Sequence, residues 1–274
     1  VSIPDKQAGM LIQSEGEAWR QLRNGKLSEY GAWLLLAVIV ILGLFYAVRG
    51  RIRIEAGVSG KTVERFNFLE RLAHWLTAVS FIVLGLTGLN LLYGRDVLLP
   101  LLGADVFSAI TIAGKYAHNF VAFAFMAGLL LMLVLWTRQN LPDKYDFMWV
   151  MKGGGMFSRH SHPLAKKFNF GQKLLFWAVI WGGAAVSVTG IYLLFPMTFA
   201  TIQEMQDMQI WHAAISLVLV AVIIAHIYIG TLGMEGAFDA VGTGQVDENW
   251  AREHHGVWMA ELKGEPAPKA TSHD

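Results

Sequence analysis

Four histidines lie inside long apolar segments of this sequence, at His74, His118, His212 and His226. An ionisable side chain within a membrane span costs at least about 2–3 kcal/mol unless it is paired or ligated. His212 and His226 belong to the same apolar run, residues 208–233, and are 14 residues apart. On a helix this spacing places the two imidazoles within about 40° of each other and about 21 Å apart along the axis. The spacing therefore indicates two separate sites on one helix face.

The chemistry that fits such histidines is metal ligation. Neutral imidazole is a common metal ligand and a common axial ligand of haem iron. Intramembrane histidines can also bind copper or relay protons, and a lone histidine in an apolar helix is more often a packed core residue. Four histidines at paired depths are much harder to obtain by packing alone. The 14-residue spacing on one helix face favours two separate sites over a single metal cluster.

The composition predicts an all-α integral membrane protein. Of 274 residues, 54% are hydrophobic and 16% charged, with a mean hydropathy of +0.43, whereas a soluble domain is usually about 25% charged. The net charge of +1 gives no indication of a nucleic-acid partner. Because the chain has no cysteine, it excludes disulfides, cysteine-ligated iron–sulfur clusters and covalently attached haem.

The apolar runs predict five transmembrane helices. They are residues 30–48, 69–93, 115–137, 174–195 and 208–233, with a loop at 94–113. Together with the histidines, these runs predict that the last four helices form a dihaem cytochrome b bundle. The predicted organisation is an N-terminal periplasmic segment (1–29), an additional transmembrane helix (30–50), a four-helix dihaem domain (66–233) and a polar cytoplasmic tail (234–274). Within the first segment, the stretch around Glu15–Leu22 is a candidate amphipathic helix.

Basic residues are concentrated in the segments 49–65 and 138–173, which lie on the same side of a five-span arrangement. The excess of lysine and arginine in cytoplasmic loops therefore places the N-terminus outside and the C-terminus inside. An outside N-terminus also fits a chain that begins at Val1 after removal of a signal peptide.

This topology pairs the histidines by depth. His118 and His212 fall near the outer surface, and His74 and His226 near the inner one, so each pair is predicted to ligate one haem b. Gly85 and Gly88 share the face of His74 and could give clearance for the outer macrocycle, although small residues at helix interfaces explain them as well. Arg71 and Lys115, each three residues before a histidine, could pair with haem propionates or simply extend to the lipid headgroups.

Residues of about 65–262 resemble the cytochrome b556 (gamma) subunits of respiratory, membrane-bound formate dehydrogenases. The resembling segments are ERLAHW around His74, KYAHNF around His118, RQNLPDKYDFMWV at 138–150, KFNFGQKLLFW at 167–177, VTGI at 188–191, WHAA at 211–214, AHIYIG at 225–230 and NWAREHHGVWMAEL at 249–262. The resemblance implies that the same four histidines ligate two haems b, paired as above. It also implies a quinone site at Asn169, Gly171 and Gln172 beside His226. Taken alone, the Asn169 and Gln172 amides fit either quinone binding or a helix capping box.

The resemblance further implies an electron-transfer subunit in the bacterial inner membrane. Its partners would be an iron–sulfur beta subunit and a molybdenum- or tungsten-containing catalytic alpha subunit that oxidises formate, in a larger oligomer. The electron acceptor would be menaquinone or ubiquinone. The family has four spans, so the helix at 30–48 and the segment 1–29 are a departure, and we hypothesise that residues 1–29 touch the iron–sulfur subunit.

Two alternative functions remain open from the sequence. One is a dihaem cytochrome b that serves a hydrogenase or another molybdoenzyme, and the other is a haem-free membrane anchor with structural histidines. The five other histidines lie in predicted loops or in the tail and are weaker candidates for metal binding: His160, His162, His254, His255 and His273.

Overall fold

The computed structural model describes residues 14–158 and 161–268, and these ranges are mostly helical. In chain order the elements are α1 (Ser14–Leu22), α2 (Ser28–Arg49), β1 (Thr62–Glu64), α3 (Phe68–Trp136), α4 (Asp146–Met151), α5 (Phe170–Leu194), α6 (Ile202–Tyr228), α7 (Asp239–Gly242), β2 (Gln245–Asp247), α8 (Glu248–His254) and α9 (Gly256–Lys263). Short π-helical turns at Arg23–Leu27 and Ile229–Gly233 precede α2 and follow α6, and 3-10 turns occupy Thr137–Asn140 and Gly153–Gly155. The short helix predicted before the first apolar run is confirmed as α1.

Four helices of the described chain are long and apolar enough to cross a membrane: Gly16–Arg49, Phe68–Asn140, Phe170–Leu194 and Ile202–Gly233. This count differs from the five spans predicted from the sequence, because the second and third predicted spans both fall within α3. This helix has 69 residues, and a straight helix of that length would extend about 100 Å, more than three times the roughly 30 Å hydrocarbon core.

The chain of α3 reverses direction at Gly103, whose backbone angles (φ 77°, ψ 168°) lie outside the helical region. Glycine adopts a positive φ without steric cost, and Pro100 just before it removes one helical hydrogen bond. Side chains on either side of the break meet: Thr87 Oγ1 lies 2.9 Å from His118 Nδ1, whereas 31 residues of straight helix would separate them by about 46 Å. The helix therefore consists of two antiparallel arms.

The loop predicted at residues 94–113 is wrong, because these residues continue both arms up to the break at Gly103. The segment combines a few charges with leucines that favour a helix, such as Leu98 and Leu101. In the sequence, the charges of this segment indicate a loop. In the structure the reversal needs only one glycine.

The chain divides into two compact units, each of which holds parts of several helices. The described part of the first unit comprises residues 14–38, 77–127 and 181–221. Within it, Gly31 of α2 lies against Leu217 and Tyr93, and a Cβ atom at this position would come within 2.5 Å of Leu217 Cδ1. The Tyr93 hydroxyl donates a hydrogen bond to the Ser28 carbonyl at 2.8 Å. The start of α2 is thereby fixed against this unit.

The second unit comprises residues 39–76, 128–180 and the described part of 222–274. Its two-stranded antiparallel sheet pairs Val63 of β1 with Val246 of β2. A core of aromatic rings from Phe66, Trp136 and Phe168 lies beside it, with ring centroids 5.3–5.8 Å apart.

Residues 234–263, the C-terminal segment, form part of the folded second unit and are not a polar tail. Trp250, Val257, Trp258 and Met259 are all buried. The Val257 amide donates to the Ala165 carbonyl at 3.1 Å. Burial of each large apolar side chain contributes about 1.5–3 kcal/mol, which explains why this otherwise polar segment is ordered. Residues 269–274, like residues 1–13 and 159–160, lie outside the described part of the chain.

Candidate functional site: two histidine pairs

The first unit brings His118 of α3 and His212 of α6 together. Their imidazole ring centroids are 6.2 Å apart, with 62° between the ring planes. Both side chains are half-buried among apolar helices. The sequence pairs these two histidines by depth, and the structure places their rings next to each other.

A threonine hydroxyl holds each imidazole of this pair. Thr87 Oγ1 lies 2.9 Å from Nδ1 of His118, and Thr189 Oγ1 lies 3.0 Å from Nδ1 of His212. A hydrogen bond at Nδ1 selects the tautomer and leaves Nε2 as the nitrogen available to a metal. Sequence reasoning did not identify either threonine, because threonine is unremarkable in an apolar helix.

The second unit brings His74 of α3 and His226 of α6 together with nearly the same geometry. Their ring centroids are 6.3 Å apart, with 64° between the planes. Trp75 stands edge-on to His74, with ring centroids 5.3 Å apart. Nδ1 of His74 is buried and has no hydrogen-bond partner among the described residues.

Both pairs fit two axial ligands of one haem iron. With an imidazole–metal bond of about 2 Å, as on zinc, and roughly 1.1 Å from ring nitrogen to ring centre, two rings on opposite sides of one metal have centroids about 6.2 Å apart. The measured separations of 6.2 and 6.3 Å match this value. Haem iron also commonly binds neutral imidazole, and both pairs offer two imidazoles in apolar surroundings.

The glycines proposed to give clearance differ in their surroundings. A Cβ atom on Gly88 would lie 3.6 Å from Cε1 of His118, so this glycine borders the imidazole. The nearest atom to a Cβ on Gly85 belongs to Val220, at 3.7 Å, and Gly182 lies against Leu219. Close packing between helices therefore explains Gly85 and Gly182, and only Gly88 of the two predicted glycines contacts a histidine of the pairs.

The two candidate propionate partners also differ. The guanidinium of Arg71 donates to the backbone carbonyls of Val241 (3.3 Å) and Gly242 (2.5 Å). Lys115 is exposed. Arg71 thus has an observed role in joining α3 to α7, and Lys115 has the freedom expected of a surface lysine.

The proposed quinone residues lie at the start of α5. Asn169 and Gln172 form a capping box. The backbone N–H of Gln172 donates to Asn169 Oδ1 (3.0 Å), and the backbone N–H of Asn169 donates to Gln172 Oε1 (3.1 Å). The capping function weighed in the sequence is therefore confirmed. Gly171 lies under Trp149, since a Cβ there would meet the indole ring at 2.9 Å.

Buried charged groups surround this helix start, and the sequence did not reveal them. Glu70 accepts from Lys167 Nζ (2.6 Å) and Trp136 Nε1 (3.0 Å), and it completes a capping box with Asn67 at the start of α3. Lys173 is buried and pairs with Asp146 (2.8 Å) and Asp143 (2.9 Å). Lysines at these positions read as topology markers in the sequence, yet here they are paired inside the protein.

Arg65 is buried between aromatic rings in the same unit. Its guanidinium carbon lies 4.9 Å from the centroid of the Trp250 ring, and its Nη2 group donates to the Lys167 carbonyl at 2.7 Å. Burial lowers the pKa of Arg65 to about 9, and the Glu70 carboxylate partly offsets this effect. Nη2 also donates to Gln172 Oε1 at 3.4 Å, which links Arg65 to the start of α5.

The remaining described histidines have structural contacts. His162 binds the Glu55 carboxylate at 2.7 Å, and the buried His255 donates from Nδ1 to the Lys166 carbonyl at 2.7 Å. No cluster of three or more histidine, aspartate or glutamate side chains suited to a metal ion occurs within residues 14–158 and 161–268. His160 and His273 lie outside these ranges.

Comparison with known proteins agrees with a cytochrome. The chain is 28% identical over 216 residues to the cytochrome b556(Fdn) subunit of the nitrate-inducible formate dehydrogenase of Escherichia coli K12, covering 77% of this chain and 96% of that protein. It is 28% identical to the cytochrome b556(fdo) subunit of the same organism, covering 76% and 97%. It is 25% identical to the formate dehydrogenase cytochrome b556 subunit of Haemophilus influenzae, covering 70% and 79%.

These relatives confirm the resemblance found in the sequence motifs. The family model for prokaryotic cytochrome b561 matches residues 65–243, which include all four paired histidines and the start of α5. Membership implies haem b binding and a multi-pass membrane protein, in agreement with the apolar helices of the described chain. The chain therefore belongs to the prokaryotic cytochrome b561 family.

Proposed function

We propose that this chain is the membrane cytochrome b subunit of a formate dehydrogenase. In this function it carries electrons from a periplasmic iron–sulfur subunit, by way of two haems b, to a quinone near the cytoplasmic side. The observation that carries the proposal is the recurrence of one geometry in both compact units: two imidazoles with ring centroids 6.2–6.3 Å apart and ring planes inclined at 62–64°. Haem b, when bound, supplies a one-electron iron couple.

The residues of the chain hold and separate the two cofactors. His118 and His212 would hold the haem on the periplasmic side, and His74 and His226 the haem on the cytoplasmic side, by the positive-inside topology. The two arms of α3, together with α2, α5 and α6, provide five apolar arms, which supports five membrane crossings. Ligands carried by continuous helices have fixed positions, so the cofactors would be held rigidly.

The quinone would bind at the start of α5, with Asn169, Gly171 and Gln172, and beside His226 of α6. The side-chain oxygens of Asn169 and Gln172 already accept backbone amides. Their NH₂ groups are then the polar ends left to donate hydrogen bonds to a quinone carbonyl.

Lys115 and Arg71 are proposed to neutralise haem propionates, and Arg71 retains a donor that its two carbonyl contacts do not use.

The partners follow from the names of the relatives, which are subunits of formate dehydrogenases. An iron–sulfur beta subunit would supply the electrons, and a molybdenum or tungsten alpha subunit would oxidise formate. We propose that residues 1–29 touch the iron–sulfur subunit. Deletion of these residues should weaken its co-purification with the chain, and unchanged recovery would contradict this contact.

The experiment that tests the function separates electron delivery from formate chemistry. In the purified complex, His226→Ala should abolish quinone reduction while formate oxidation with an artificial dye persists, because the alpha subunit does not use this histidine. His162→Ala is the matched control, since His162 binds Glu55 at the surface and belongs to neither pair. Full quinone reduction in the His226→Ala complex would contradict the proposal. Co-purification of a hydrogenase in place of a formate dehydrogenase would change the partner and retain the haem sites.

A further inference from the structure

Each imidazole of the His118–His212 pair contacts a Thr-Gly dipeptide of a neighbouring helix. His118 lies against Thr87 and Gly88 on the other arm of α3. The Thr87 hydroxyl is 2.7 Å from the Val83 carbonyl and 2.9 Å from Nδ1 of His118. A hydroxyl has a single hydrogen, and the carbonyl can only accept, so this hydrogen goes to Val83. Thr87 Oγ1 therefore accepts a hydrogen bond from Nδ1–H of His118.

The same arrangement recurs at His212, which lies against Thr189 and Gly190 of α5. The Thr189 hydroxyl donates to the Ala185 carbonyl at 2.9 Å, and its oxygen lies 3.0 Å from Nδ1 of His212. A Cβ atom on Gly190 would come within 3.3 Å of Cε1 of His212. In each dipeptide the threonine orients the ring, and Gly190 also makes room for it, whereas Gly88 only borders it.

His74 of the second pair differs in its hydrogen bonding. Nδ1 of His74 is buried without a partner in the described chain, whereas both Nδ1 atoms of the first pair are hydrogen-bonded. A hydrogen bond accepted from Nδ1–H increases the basicity of the imidazole as a ligand. A more basic ligand donates more electron density and favours ferric over ferrous iron.

We propose that Thr87 and Thr189 are positioning residues that lower the reduction potential of the haem held by His118 and His212 below that of the haem held by His74 and His226. This inference rests on the proposed function. The difference in reduction potential sets the direction of electron transfer. Electrons then move from the haem of lower potential, held by the first pair, to the haem of higher potential, held by the second. If each hydrogen bond favours the ferric form about tenfold, the lower end of typical outer-shell effects on metal affinity, each threonine lowers the potential by about 59 mV.

The test is a spectroelectrochemical titration of both haem b couples in the intact complex. In Thr87→Val and Thr189→Val, which keep the shape of the side chain and remove the hydroxyl, the lower couple should move to a more positive potential while the higher couple stays in place. Thr87→Ser and Thr189→Ser restore the hydroxyl and should restore the wild-type value. Two bound haems with unchanged potentials would overturn the inference and leave the proposed function intact. The same holds for equal shifts of both couples.

A second measurement keeps the inference testable if a valine variant fails to hold its haem. His212→Ala removes one ligand of the first pair, so the couple that disappears should be the lower one. Retention of the lower couple and loss of the higher one would overturn the inference. Absence of any haem from the wild-type complex would refute the proposed function as well, which distinguishes the two failures.

Discussion

The imidazole rings of His74 and His226 lie 6.3 Å apart at 64°, and those of His118 and His212 lie 6.2 Å apart at 62°. Each pair occurs in a separate compact unit and joins residues of α3 and α6. Packing alone does not explain a separation repeated to within 0.1 Å, since threonines contact the rings of one pair and Trp75 contacts His74 of the other. A shared ligand chemistry explains the repetition.

Substitution of Gly190 should disturb the site held by His212. A Cβ atom at position 190 would come within 3.3 Å of Cε1 of His212, and Thr189 restrains the ring from moving away. We expect Gly190→Ala to lower the haem content on heating, measured by absorbance during a thermal ramp. Gly88→Ala is the matched control, because its Cβ would make an ordinary contact of 3.6 Å with His118. Equal behaviour of the two variants would show that the ring at Gly190 adapts freely.

Helix α2 contains two glycines with opposite surroundings. A Cβ on Gly31 would lie 2.5 Å from Leu217 Cδ1 and 2.7 Å from the Tyr93 hydroxyl, whereas a Cβ on Gly43 meets no atom within 4 Å. Overpacking costs typically about 1–3 kcal/mol, so Gly31→Ala should lower the melting temperature of the detergent-solubilised protein. Gly43→Ala should leave it unchanged or raise it, because alanine favours the helix by about 1 kcal/mol. The reverse order would contradict the packing of α2 described here.

The buried ion pairs of Lys173 should be essential for stability. Lys173→Met would leave the carboxylates of Asp143 and Asp146 without their cation, and removing one partner of a buried pair costs about 3–5 kcal/mol. We expect a clear loss of thermal stability, measured by tryptophan fluorescence. Lys144→Met removes an exposed lysine next to Asp143 and should have little effect. An unchanged melting temperature in Lys173→Met would mean that solvent reaches the two carboxylates.

The C-terminal segment should detach as the pH falls. Burial and the nearby Arg65 guanidinium hold the pKa of His255 well below its ordinary value. Burial, with His162 and Arg65, lowers the pKa of His254 to about 4. Between about pH 6.5 and 4 the unfolded segment therefore binds protons that the folded one does not, so the free energy of unfolding falls as the pH falls through this window.

This pH dependence can be measured by limited proteolysis of residues 234–263 across the pH window. His255→Asn, which keeps a donor for the Lys166 carbonyl, combined with His254→Gln should flatten the dependence. Cleavage that is independent of pH in the wild-type chain would show that folding does not lower the pKa of either histidine.

The sequence predicts the helical class, the apolar runs and the pairing of the histidines, because each depends on local hydropathy and on helical spacing. It places the turn between the arms of α3 too broadly, since the chain reverses at the single residue Gly103. It also misses the folding of the C-terminal segment, where Trp250 and Trp258 find their partners only in the tertiary structure.

The supporting residues of the site were not predictable for a similar reason. Thr87 and His118 are 31 residues apart, and Thr189 and His212 are 23 apart. No periodicity along one helix relates such positions. The buried partners of Lys167 and Lys173 likewise come from distant segments, so a sequence shows their charges and not their pairing.

The measurement that tests the central claim most directly is the haem b content of the purified chain, by the pyridine haemochrome assay. The account predicts two haems per wild-type chain, and one in either His212→Ala or His226→Ala, because each substitution removes one ligand of one pair. One haem or none in wild-type protein supplied with haem would contradict it. Loss of both haems in each single variant would contradict the independence of the two pairs.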